Sequence, residues 1–220
     1  MKNTLFILIT ALSLFSCSFS NKIIDKPIIF NEERNQLTLE YLSSHYDLIQ
    51  DKPSITPKII VLHWTQIPTL EKSFNAFKNV LLPNSRTGIK SASNLNVSSQ
   101  FLVDLDGTIY RLMPETTMAR HVIGLNHCAI GIENVGGTKN TPLTKAQIDA
   151  NVHLVNYLSD KYKIEYLIGH YEYTHFENHP LWLEKDAGYR TVKEDPGIEF
   201  MQAIRKNTMH CGFKENPSKK

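Results

Sequence analysis

Two apolar runs in the sequence end in a histidine. Ile59-Ile60-Val61-Leu62 leads into His63-Trp64-Thr65, and Tyr166-Leu167-Ile168-Gly169 leads into His170. Runs this short suit strands covered on both faces better than a buried helix. Where such strands end, the backbone leaves the core and meets solvent, so the side chains delivered there can act on a ligand. Two imidazoles at strand exits are the beginning of a metal site. A hydrolytic zinc site needs a third protein ligand, an open position for water, a base, and a cation or donor for the developing oxyanion. Asp195 offers the third ligand, Glu133 the base and Lys193 the cation. Singly, none is diagnostic. Each histidine also reads as a satisfied core or rim residue, and Glu133, two residues after Gly131, as an ion-pair partner beside a bulge. Asp195, followed by Pro196, also reads as a helix N-cap.

Competing chemistries have weaker support. His175 and His179 stand in H-F-E-N-H, but a zincin helix needs glutamate directly after the first histidine, where Phe176 stands, and Pro180 follows the second. There is no G-x-S-x-G elbow for a serine nucleophile, and no G-x-G-x-x-G or P-loop for a nucleotide. Cys128 and Cys211 lack any nucleophile signature. A disulfide between them would close a long loop, worth about 4 kcal/mol, and two free thiols read equally well. Lysine and arginine number 24 against 22 acids, for a net charge of +2, and no basic run is interleaved with aromatics. That balance gives no reason to expect a nucleic-acid partner, whose binding needs a concentrated basic face.

The elements that must position these residues can be read in order. At 220 residues, 41% of them hydrophobic, the chain holds one domain with a real core and is short for two. Asn31 caps an expected helix from Glu32, with Leu37 and Tyr41 on one face. Leu70 to Asn79 reads as a helix with Phe74 and Phe77 inward, and 81–97 as a loop or weakly structured insert. Gln100 to Met113 reads as a hairpin turning at Asp106-Gly107. Ala129 to Val135 reads as a strand with Gly131 and Glu133 on one face; a carboxylate beside a glycine leaves room for something to approach. Thr144 and Gln147 form a capping box for a helix facing the sheet through Ile148, Val152, Val155 and Tyr162. The 171–191 connection is long and aromatic, with Tyr173, Phe176, Trp182 and Tyr189; Asp195-Pro196 then opens a last helix.

The N-terminus reads as processing signal. Lys2 precedes an apolar stretch from Leu5 to Phe15, too short to span a bilayer and right for a signal-peptide core. Leu14-Phe15-Ser16-Cys17 resembles the lipobox of bacterial lipoproteins, which implies cleavage before Cys17 and acylation of it. Ser18, where an aspartate would favour the inner membrane, implies a periplasmic protein anchored to the outer membrane. The expected division is a signal peptide over 1–16, a lipidated leader over 17–57, a catalytic domain over 58–213 and a tail over 214–220.

Taken together, V-L-H-W-T, S-S-Q-F-L-V-D-L-D-G-T-I-Y-R-L-M-P, N-H-C-A-I-G-I-E-N-V-G, I-G-H and K-E-D-P-G, in this order, resemble the zinc-dependent N-acetylmuramoyl-L-alanine amidases of the AmpD, phage-lysozyme and peptidoglycan-recognition-protein type. The resemblance runs from about Ile59 to Phe200. It implies an α/β fold with a central mixed sheet flanked by helices, and one Zn2+ held by His63, His170 and Asp195. It also implies Glu133 and Lys193 as catalytic residues, and peptidoglycan or muropeptides as substrate, cut between the lactyl group of N-acetylmuramic acid and L-alanine. By the same resemblance Trp64, Gln100, Arg120, His121 and Asn126 are expected to meet substrate, His121 alternatively standing behind the metal. Gln100 departs from the histidine that many relatives carry, and the 171–191 connection is longer than in compact members, suiting a lid or a reader of the stem peptide. Two other readings stay open: a binding module without turnover, and a zinc peptidase cutting within the stem peptide.

Overall fold

The structure, a computed structural model, describes residues 22–217. The signal segment, Cys17 and the last residues of the tail lie outside the described residues. The Ile59 run forms strand β2 (Ile59–Trp64), whose first five residues are buried, as coverage on both faces requires. β2 lies between two parallel neighbours, β5 (Ala129–Asn134) and β6 (Tyr166–Gly169). Beyond β5 come β3 (Phe101–Val103), parallel to it, β4 (Ile109–Arg111), antiparallel to β3, and the edge strand β1 (Ile23–Asp25), parallel to β4. The result is a mixed six-stranded sheet in the order β1-β4-β3-β5-β2-β6.

Strand alternation divides the core between two faces. Ile60, Leu62, Ile130 and Ile132 pack against Leu154 and Leu158 of α4 (Lys145–Lys161) and Met201 and Ile204 of α5 (Ile198–Asn207). Ile59, Val61, Ala129 and Ile168 face Tyr41, Leu42 and Tyr46 of α1 (Glu32–Tyr46), together with Tyr173 and Phe176. Phe74 and Phe77 of α2 (Leu70–Lys78) join Leu102, Leu112 and Met113 in a third cluster. β1 and α1 thus belong to the same sheet and core as the rest. Among the described residues no helix is long and apolar enough to cross a membrane.

Local sequence explains most of these elements, and several depart from expectation. Asn31 caps α1 by accepting from the Arg34 N–H, and Thr144 and Gln147 make both bonds of the capping box. The inner face of α4 is rotated from the expected one. Val155 is buried as expected, together with Ala150, Leu154 and Leu158 and alongside Gln147 and Asn151, while Ile148, Val152 and Tyr162 are only partly covered. The burial of this polar pair is offset by its donors: the Gln147 amide donates to the carbonyls of Val103 and Val135, and Asn151 Nδ2 donates to Asn134 Oδ1 at 2.7 Å, although Asn151 Oδ1 has no partner among the described residues. The hairpin turns through five residues between short strands. Only Gly107 there takes a positive φ, +86°, where a Cβ would also meet the Ala146 carbonyl oxygen at 2.8 Å. The 81–97 stretch holds the short helix α3 (Thr87–Lys90). Cys128 and Cys211 are free thiols.

The 171–191 connection is a packed wall, not a lid. His170–Phe176 forms a 3-10 helix whose Tyr173 and Phe176 are 1% and 0% exposed. Trp182 stacks on Tyr173, Leu183 N–H donates to the Gly124 carbonyl, and Glu184 meets His45 of α1 at 2.9 Å. The connection's aromatic side chains Tyr173, Phe176 and Tyr189 are spent on the core, with Trp182 packed against it.

Candidate metal centre

Leu62 of β2 is in register with Gly169 of β6, so the next residue on each strand is a histidine at the same level of the sheet. The imidazoles of His63 and His170 therefore emerge side by side, with their Nδ1 atoms 2.9 Å apart. Asp195 comes from the segment before α5, whose backbone is tied to the 3-10 helix by the Tyr171 N–H donating to the Asp195 carbonyl. Its Oδ2 lies 3.2 Å from His63 Nδ1 and 3.0 Å from His170 Nδ1. The helix-cap reading of Asp195 fails: α5 begins at Ile198, its cap position is Gly197, and no side chain caps it.

The three atoms form a buried triangle suited to one cation. A tetrahedral ion with ligands at about 2.0–2.1 Å sets them roughly 3.3 Å apart, close to the edges observed here. An ionised carboxylate oxygen and two imidazole nitrogens this close repel unless a proton or a cation lies between them. Burial and the neighbouring His63 push the His170 imidazole down to about 4. Burial alone would raise the Asp195 carboxyl, but the two imidazoles outweigh it and hold it well below the usual carboxylate range. A neutral imidazole and an ionised carboxylate are the forms that bind a metal. The residues present fit a divalent ion.

A groove of about 360 Å3 opens on this triangle, and Trp64, His121, Glu133 and Lys193 line it. Glu133 stands beside His63 in the register of β5 and β2. Its Oε2 is buried with no hydrogen-bond partner among the described residues. Burial, and after it the Asp195 charge, pushes this carboxyl well above the usual range, while Lys193 and Arg86 pull it partly back. His121 reaches His63 from behind, its Nδ1 3.0 Å from His63 Nε2. Burial first, then His63, pushes the His121 imidazole well below its ordinary value.

The structure separates the five residues expected to meet substrate. Trp64 and His121 are on the groove wall. Arg120 also reaches it, but its guanidinium donates to the carbonyls of Ile89, Ser93 and Leu95 and to the Tyr189 hydroxyl. Gln100 and Asn126 are 0% and 1% exposed and lie behind the wall. Both of their amide groups are engaged: Gln100 accepts from the Gly131 N–H and donates to the Thr117 carbonyl. Asn126 accepts from the His121 and Val122 N–H groups and donates to the Tyr46 hydroxyl. These two hold backbone, and the expectation of substrate contact is corrected. His175 and His179 are not part of the triangle; His179 Nε2 instead meets the Tyr166 hydroxyl at 3.2 Å. Arg86 and Ile89, from the stretch read as a featureless insert, also line the groove. In the sequence only a cation within an Asn- and Ser-rich segment, Arg86 ahead of Lys90, could have pointed to them.

Residues 53–198 match the Amidase_2 family, described as N-acetylmuramoyl-L-alanine amidase. Among solved structures, the N-acetylmuramoyl-L-alanine amidase LysC from Clostridium intestinale URNW is similar, with a TM-score of 0.53 at 20% identity, covering 88% of this chain and 99% of its own. A peptidoglycan recognition protein, LE, solved in complex with tracheal cytotoxin, is similar with a TM-score of 0.50 at 18% identity, covering 84% of this chain and 92% of its own. Likeness at these identities establishes the shared fold. No curated protein matches the chain in sequence.

Proposed function

The chain belongs to the Amidase_2 family of N-acetylmuramoyl-L-alanine amidases, and on that premise we propose that it is a zinc-dependent peptidoglycan hydrolase. The reading rests on one observation: the His63, His170 and Asp195 donor atoms converge in an open groove, beside a Glu133 carboxylate oxygen that has no partner among the described residues. His63 Nδ1, His170 Nδ1 and Asp195 Oδ2 would hold the ion. When bound, Zn2+ supplies Lewis-acid polarisation of the scissile carbonyl and lowers the pKa of a water to about 7.

The rest of the chemistry belongs to the protein's own groups. Glu133 takes a proton from the attacking water and passes it to the departing L-alanine nitrogen; a carboxyl raised by burial holds that proton long enough to deliver it. Lys193 faces the negative charge that develops on the carbonyl oxygen. One water is consumed, the carbon–nitrogen bond breaks, and the products are a lactyl carboxylate and a free L-alanine amine. Trp64 offers an apolar wall to the sugar or peptide. The recognition protein of the same fold was solved with tracheal cytotoxin, a monomeric diaminopimelic acid-type peptidoglycan, which supports this substrate class.

Digestion of purified peptidoglycan followed by mass spectrometry tests the reading. Stem peptides with a free N-terminal L-alanine are expected. Absence of released peptide would favour a binding module, and termini within the stem would favour a peptidase; either would overturn the amidase assignment. In the same proposal Cys17 carries acyl chains that hold the domain at the periplasmic side of the outer membrane, which two or more chains do stably. Labelled fatty acid should enter the wild-type protein and not a Cys17→Ser variant.

A further inference from the structure

Gly131 has no Cβ, and the space where one would project is filled by an imidazole. An ideal Cβ there would lie 2.9 Å from both Cγ and Nδ1 of His121. The room left beside Glu133 on this face of β5 therefore belongs to His121, not to substrate. The backbone around it is fixed on both sides. Asn126 Oδ1 accepts from the His121 and Val122 N–H groups, each at 2.8 Å, and Gln100 Oε1 accepts from the Gly131 N–H at 2.7 Å. The His121 ring stands edge to face against His63, at 89° with centroids 5.1 Å apart.

For a ring that carries one proton, the hydrogen bonds of His121 run in one direction. His121 Nε2 lies 3.3 Å from the Ala129 carbonyl oxygen, which can only accept, so Nε2 carries the His121 proton. In a neutral ring Nδ1 is then a bare acceptor, and it lies 3.0 Å from His63 Nε2. His63 must therefore carry its own proton on Nε2, which leaves its Nδ1 lone pair aimed at His170 and Asp195. A main-chain carbonyl at the start of β5 thus sets the tautomer of a residue at the end of β2.

We propose that His121 is a positioning residue: by accepting from His63 Nε2, it locks His63 into the tautomer whose Nδ1 can bind the metal. The proposal rests on the zinc reading of the triangle. Metal-bound histidines commonly donate their second N–H to a carboxylate or a carbonyl, and loss of such a partner weakens metal binding. Here a neutral imidazole fills that place and hands the bond on to Ala129. Gln100 and Asn126 hold the two backbone segments between which the ring is clamped, which accounts for their burial.

Two measurements on the full-length protein test this. In the metal-free wild type, 15N NMR of labelled histidines should show the ring proton on Nε2 in both His63 and His121. His63 protonated on Nδ1, or His121 protonated on Nδ1, would overturn the proposal whatever any variant does. Zn2+ affinity, read by competition with a chromogenic chelator, should fall roughly 10–100-fold in His121→Leu. It should recover in His121→Asn, whose Oδ1 occupies the place of Nδ1 and accepts the same proton. Wild-type affinity in His121→Leu, or no recovery in a folded His121→Asn, would contradict a positioning role. Failure of the wild type to bind Zn2+ would defeat the zinc reading instead, and the NMR result would still decide the tautomers.

Discussion

Glu133 and His63 are direct neighbours in the register of two parallel strands, which sets a candidate base beside a candidate metal ligand without any loop between them. Sites carried on strands keep their geometry better than sites on loops. Glu133→Gln should keep this shape while removing the proton carrier. Turnover of peptidoglycan is expected to fall by about 10²–10⁴-fold, the usual share of general acid–base catalysis, with Zn2+ affinity within a few-fold of wild type. Wild-type turnover in this variant would remove Glu133 from the chemistry.

Loss of a triangle member should act on metal and activity together. His63→Ala and His170→Ala are expected to abolish both, and a chelator should silence the wild type until Zn2+ is restored. Binding also adds stability by mass action: Zn2+ at 100 times its dissociation constant should raise the unfolding free energy by about 2.7 kcal/mol. Thermal or urea unfolding with and without Zn2+ measures this, and His63→Ala should show no such gain.

Gln147 joins the start of α4 to the ends of two strands by donating to the carbonyls of Val103 and Val135. Gln147→Leu fits the volume but leaves the Val135 carbonyl without this donor, while the Val103 carbonyl keeps only the Val135 N–H. A destabilisation of about 1–3 kcal/mol is expected in urea denaturation. A neutral result would mean that water reaches these groups.

Glu115 gives the fold an acid-sensitive element away from the groove. Burial would raise its carboxyl, but hydrogen bonds from Lys161, Tyr162 and Tyr157 outweigh that and hold it below its ordinary value of 4.5. A depressed folded value means that stability from this cluster is complete above the unfolded value and is lost as pH falls through the folded one. Glu115→Gln should therefore be less stable than wild type near neutral pH, and the gap should close in acid. Denaturation curves across that range test it; a gap that stayed constant with pH would contradict it.

The strands and their terminal histidines were legible because a run buried on both faces leaves a plain apolar signature, and a polar residue straight after it marks the exit. Other features were not legible, for physical reasons. Aspartate before proline has the same local appearance as a cap or as a ligand, and only the packing of Asp195 against His63 and His170 decides. Gln100 and Asn126 looked like groove residues because sequence cannot tell which side of a wall a polar side chain faces. The inner face of α4 was misjudged for a related reason: Gln147 and Asn151 are polar by type, yet their bonds to strand backbone and to Asn134 allow burial. The aromatic residues of 171–191 suit sugar stacking or core packing equally well until Tyr173 and Phe176 are seen beneath the sheet's end.

The most direct measurement is anomalous scattering at the zinc edge from crystals of the protein grown with Zn2+. One strong peak is expected, about 2.0–2.2 Å from His63 Nδ1, His170 Nδ1 and Asp195 Oδ2 and facing the groove. No peak there, or a peak only at another set of residues such as His175 and His179, would contradict the metal centre and the hydrolytic mechanism that depends on it.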